Sequence, residues 1–148
     1  MQIEIDQSGK IEDTSKLTIV AYSNHCSKSL LITAKDKKII QSVFRKIKQP
    51  RVFISKVFAA VIFILIKDDF KKINTVIVDT EYPGHSNTIK RYLIDFIKQE
   101  KMKSDRVDIY FHCIGKKSKA HDVAWKAYRK KKADMKINTR ALFQIIFK

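Results

Sequence analysis

The chain has 148 residues, a length at which folding hides roughly 68–70% of the unfolded chain's surface, so one domain over residues 1–148 can hold a real core. Its 45% hydrophobic and 31% charged residues, with three Gly and two Pro, exclude a disordered chain and long flexible linkers. The 31 Lys and Arg against 15 Asp and Glu leave a net charge of +16, which attracts polyanions such as nucleic acid or anionic lipid without choosing between them.

In chain order, Ile3 and Ile5 alternate with Glu4 and Asp6, the two-residue period of a strand, expected to run past Gly9 to Ile11. No hydrophobic signal segment follows, so secretion is not expected. EDTSK makes a turn, LTIVAYS a second β-rich run, NHCSK another turn and SLLITA a third strand, which together predict a three-stranded antiparallel meander. The period then changes to 3.6: after Asp36, an N-cap candidate, Ile39, Ile40, Val43, Phe44 and Ile47 recur at helical spacing until Gln49-Pro50. VFISKVFAAVIFILI (52–66) contains Lys56, falls short of the ~20 apolar residues that span a bilayer, and is expected as a buried helix with no membrane contact.

TVIVDTEYPG reads as a buried strand ended by Pro83-Gly84, and HSNTIKRYLIDFIKQEK as an amphipathic helix capped by Ser86 or Asn87. VDIYFHCIG is a further buried strand. KKSKAHDVAWKAYRKKKA sets Ala120, Val123, Ala124 and Ala127 on one helical side, and Trp125 is expected in the core because large aromatics at helical spacing usually pack. The alternative is that Trp125 and Tyr128 stay outside it and are available for stacking. Residues 135–148 form an apolar piece whose form the pattern leaves open. Cys26 and Cys113 form no CxxC pair, which argues for a reduced, cytoplasmic protein and against a metal knuckle or disulfide scaffold.

Acids fall at the ends of these elements: Asp6 in IEIDQSG, Asp79 in VIVDTEYPG and Asp122 in AHDVAWKA. Carboxylates brought together from neighbouring strands repel one another unless they bind protons or hard cations, and oxygen ligands suit Mg²⁺ or Mn²⁺. Each acid also has an ordinary reading: Asp6 at the surface near a turn, Asp79 as a cap, Asp122 as an N-cap. Glu81, two residues past Asp79, shares its face if the strand stays extended, and Glu4 shares that of Asp6. His121 can move protons or contact phosphate, or simply be exposed at a helix start. His85 has a weaker claim. Between residues 101 and 136 twelve Lys and Arg face four acids, and Lys116, Lys117, Lys119, Lys126, Arg129 and Lys130 make a candidate phosphate track.

The order of meander, helices, strand, helix, strand and helix resembles the RNase H-like nuclease superfamily. VDTEY is similar to the TDSQY-type fourth-strand motif of ribonuclease HI, and AHDVAWKA to its terminal D-x-x-A-x-x-A helix. The resemblance implies a mixed five-stranded sheet, the meander plus two parallel strands, flanked by helices, with carboxylates on the first and fourth strands and the last helix holding divalent metal. It thus implies a Mg²⁺- or Mn²⁺-dependent endonuclease or resolvase that hydrolyses phosphodiesters in DNA or RNA by a two-metal mechanism, with Asp6, Asp79 and Asp122 as ligands. The sequence departs from ribonuclease HI in DKKIIQSVFRKIKQ, which lacks the family's helix Glu. Glu81 and His121 are then nearer to the fourth-strand Glu and the His of Holliday-junction resolvases, enzymes that act as dimers, which leaves a homodimer open. The alternative is a non-catalytic nucleic-acid-binding domain of the same fold.

Overall fold

The computed structural model describes residues 1–148 as a six-stranded mixed sheet with helices on both faces. β1 (Gln2–Ser8), β2 (Thr18–Ser23) and β3 (Ser27–Ile32) form the antiparallel meander that the alternation predicts. β4 (Thr75–Asp79) lies parallel to β1, β5 (Asp108–His112) parallel to β4, and β6 (Met135–Ile137) parallel to β3. The order is β5-β4-β1-β2-β3-β6, which corrects the expected five strands to six. The extra strand comes from the C-terminal piece, too short at three residues to show a period. β1 stops short of Ile11 because Gly9 takes φ +79°. A Cβ there would stand 2.4 Å from the Leu17 carbonyl oxygen and 2.9 Å from the Tyr128 ring, so the position requires glycine.

Capping chemistry sets most helix starts. α1 (Ala34–Lys46) is capped by Thr33 rather than Asp36: Thr33 Oγ1 accepts from the Asp36 N–H at 3.1 Å and donates to Asp36 Oδ2 at 2.9 Å. α2 (Phe53–Ile66) buries 12 of its 14 residues, so it needs no polar face and shows no amphipathic stripe. No helix is long and apolar enough to cross a membrane. α3 (Ser86–Gln99) follows a turn closed by the His85 N–H on the Tyr82 carbonyl at 3.0 Å, with Gly84 at φ +84°. His85, not Ser86 or Asn87, is therefore its cap residue, and it caps without its side chain. α4 (Lys119–Lys130) is capped by Ser118 and α5 (Thr139–Ile146) by Asn138.

The strands' alternation separates two faces. Ile3, Ile5, Val20, Tyr22, Leu30, Ile32, Val76 and Val78 turn one way and join α1, α2, α3 and α5 in a core of 34 buried residues. On the other face Ile19, Ala21 and Leu31 meet Ala124 and Ala127 of α4 in a cluster of five. α4 lies over β1, β2 and β3 and leaves β4 and β5 uncovered. β5 is consequently an alternating edge strand and not the buried strand its composition suggests, with Asp108, Tyr110 and His112 turned to water.

Candidate metal centre

The parallel register pairs Ile5 with Val78, so the next residues, Asp6 and Asp79, stand side by side where the pairing of β1 with β4 ends. Both lie on the face that α4 only partly covers, opposite Ile5 and Val78. Asp6 is 3% exposed, so the surface reading of this acid does not hold. Its Oδ1 accepts from the Gln7 N–H at 2.8 Å. Asp79 Oδ1 accepts from the Ile114 N–H at 2.9 Å, which ties it to the segment leaving β5. Glu81 joins them by a route other than an extended strand. β4 ends at Asp79, and the Glu81 N–H bonds back to the Asp79 carbonyl at 3.0 Å, a tight turn that folds Glu81 over its neighbour. One ligand oxygen each from Asp6, Asp79 and Glu81 then lies within 4.8 Å of the others.

The next residue fastens this turn. Tyr82 is buried, and its hydroxyl accepts from the Ile11 N–H at 3.0 Å and from Gln7 Nε2 at 2.9 Å, joining the β4 exit to the residue after Asp6. Such closeness perturbs the acids. Burial, the hydrogen bonds to Asp79 and Asp6, and the charges of both push the Glu81 carboxyl up to about 8. Asp6 is also raised, chiefly by burial and further by the charge of Asp79, against hydrogen bonds from Glu81, the Gln7 N–H and His121 that favour its ionised form. At neutral pH the metal-free cluster therefore carries a proton on Glu81. The donor set is all carboxylate, which fits a hard cation such as Mg²⁺ or Mn²⁺.

Of the two residues expected at the start of α4, the structure brings His121 to the site and leaves Asp122 outside it. His121 Nδ1 is 2.9 Å from Asp6 Oδ2. Asp122, with its side chain 59% exposed, pairs with Lys126 at 2.9 Å. The reason is helical geometry: successive residues are about 100° apart, so both cannot face one strand. The sequence carries this signal too. The residue three before Ala124 and six before Ala127, as the D-x-x-A-x-x-A spacing demands, is His121 rather than Asp122. Asp122 is not the helix cap either, since Ser118 holds that place. Glu4 accepts from Ser118 Oγ at 3.1 Å and acts as an anchor for α4.

A hollow of about 250 Å³ opens beside Glu81, lined among others by Lys10, Arg51, Ser55, Tyr82 and His85. Lys10 and Arg51 were not singled out from sequence, since Lys10 stands in the turn after β1 and Arg51 in the 3-10 turn before α2, far in sequence from Asp79 and Glu81, and His85 gains from its place here. Lys37 helps to hold the Lys10 loop: it is fully buried, and its Nζ donates to the carbonyls of Lys10 at 3.0 Å and Asp13 at 2.6 Å and to Thr18 Oγ1 at 2.9 Å. The other cations scatter. Lys116 and Lys117 are exposed in the loop before α4, Lys119 lines a separate depression with Gln2 and Glu4, Lys126 is paired with Asp122, and Arg129 and Lys130 are exposed on α4. Trp125 is 46% exposed, not in the core. No known protein family, curated protein or solved structure matches the chain.

Proposed function

We propose that the chain is a divalent-metal-dependent nuclease of RNase H-like fold that hydrolyses phosphodiester bonds in nucleic acid. The observation that carries this reading is the convergence of Asp6 and Asp79 from adjoining central strands, with Glu81 folded over them. The strand order supports it, since β1 lies beside β4 in the interior of a mixed sheet, as the resemblance implies. Asp6, Asp79 and Glu81 would hold Mg²⁺ or Mn²⁺, in one or two sites, and the bound metal supplies the positive charge that acidifies an attacking water and stabilises the leaving oxygen. His121 rather than Asp122 is the α4 residue at the site, and it keeps the proton-moving or phosphate-contacting role expected of it. With Nδ1–H donated to the Asp6 carboxylate, its Nε2 is left to accept a proton or meet a phosphate oxygen. Lys10 and Arg51 place two cations beside the acids Glu12 and Glu81 in the lining of the hollow, where they can meet a phosphate next to the scissile one.

Cleavage assays with Mg²⁺ on labelled hybrid, duplex, single-stranded and junction substrates test the reading. The expected result is cleavage of at least one substrate by wild type and none by Asp79→Asn, whose affinity stays equal or rises because negative charge near the polyanion is deleted. Cleavage that survives Asp79→Asn contradicts the mechanism. Binding without cleavage by wild type would favour the non-catalytic alternative, for which the lack of a carboxylate from α1 speaks: its one acid, Asp36, is engaged by Thr33 and Thr139.

A further inference from the structure

Trp125 is the protein's one tryptophan, and it sits in water rather than in the core. Its ring stacks on Tyr128 at 6.2 Å between centroids and 12° between planes, and the Arg129 guanidinium lies 6.0 Å from its centroid. On α4, residues 121, 125 and 128 follow the i, i+4, i+7 spacing and so share one flank. Contacts at both ends fix which flank it is: His121 reaches Asp6, and Tyr128 rests against Gly9 just past the end of β1. The stack therefore lies a helical turn along α4 from the carboxylates, with Tyr128 packed partly against the five-residue cluster under β2 and β3 and Trp125 standing out in water beside it. Its surroundings are cationic. Lys126, Arg129, Lys130, Lys131 and Lys132 lie close in sequence, and the sole acid of α4, Asp122, is neutralised by Lys126.

We propose that Trp125 and Tyr128, with Arg129, form a stacking platform for unpaired bases, which makes a single-stranded segment part of the substrate. Aromatic faces bind bases of any sequence only where those bases are unstacked from a duplex, while the lysines track the backbone. A fully paired duplex offers its phosphates to the lysines but no base face to Trp125. The proposal rests on the nuclease reading for the nature of its ligand.

Its test uses Trp125 as the reporter. With chelator present to prevent cleavage, wild type is titrated with a labelled oligothymidylate and with a blunt duplex of equal length. Saturable quenching of Trp125 emission by the single strand, and little by the duplex, is expected. Trp125→Ala should weaken single-strand binding about tenfold while changing duplex binding less than twofold, and Trp125→Phe should recover most of the loss. Because Trp125 is exposed, neither change is expected to unfold the protein. Emission unmoved by single strand, or equal losses on both ligands in Trp125→Ala, overturns the platform, as does concentration-dependent self-association that buries Trp125 in its place. The platform and the nuclease reading fail separately. Quenching in a protein that never cleaves with Mg²⁺ removes the nuclease and keeps the platform, whereas cleavage without quenching does the reverse.

Discussion

On one face of the sheet α1, α2, α3 and α5 close over a core of 34 buried residues, whereas on the other a single helix rests on a cluster of five and leaves two strands bare. The same strands build both faces, because alternate side chains point opposite ways. Each strand of the central pair thus gives its inward residues, Ile3, Ile5, Val76 and Val78, to stability, and an outward residue next to them, Asp6 or Asp79, to the site. Converging carboxylates are unfavourable in the metal-free protein, and the large core on the opposite face is what offsets them.

The sharpest test of this division is a pair of substitutions. Phe58→Ala, in α2 at 1% exposure and edge-on to Tyr82 at 5.3 Å, should lose about 3–5 kcal/mol of unfolding free energy in a urea titration. Ala127→Gly, in α4 against the smaller cluster, should lose only about 1 kcal/mol, the helix-propensity difference. Comparable losses for the two would break the comparison.

A smaller effect sharpens it. Glu81 titrates near 8 when folded, against an ordinary value of 4.5, so between these the folded protein keeps a proton that the unfolded chain releases. Stability of the metal-free protein should therefore fall as pH rises from about 4.5 to about 8, and the raised Asp6 carboxyl acts in the same direction. The slope is shallow because Glu81 is partly open to solvent, which screens the interaction. Melting temperatures measured across this window in chelator should decline for wild type and decline less for Glu81→Gln, in which only the raised Asp6 remains. A wild-type curve that rises with pH would show that the three carboxylates do not share one environment.

Much of this division is legible in the residues, and the failures have physical causes. Strict alternation announced β1, and the change of period after Asp36 announced α1, whose cap lies three residues earlier at Thr33. Thr33 and Asp36 stand at the spacing of an N-cap and the third helical residue, which is legible once the threonine is given the cap. Asp79 was identifiable because it follows a short apolar run at its strand's end, and Asp6 because it follows the isoleucines of an alternating strand. The edge position of β5 was not, since an apolar composition cannot reveal which strand ends the order. Trp125 was misplaced for a related reason: helical spacing describes a flank, and what covers that flank depends on whether a second helix packs beside α4, which is the single helix on this face. The choice between His121 and Asp122 was within reach, because the spacing to Ala124 and Ala127 already selected the histidine.

The central claim is that Asp6, Asp79 and Glu81 form one divalent-cation site, and direct calorimetric titration with Mn²⁺ tests it. Wild type should bind saturably, more tightly at about pH 8 than at about pH 6 because the cation displaces the proton held by Glu81, and release protons as it does so. Asp6→Asn should bind far more weakly at both values and release few protons. Equal heats for wild type and Asp6→Asn, with no difference between the two pH values, would contradict the site.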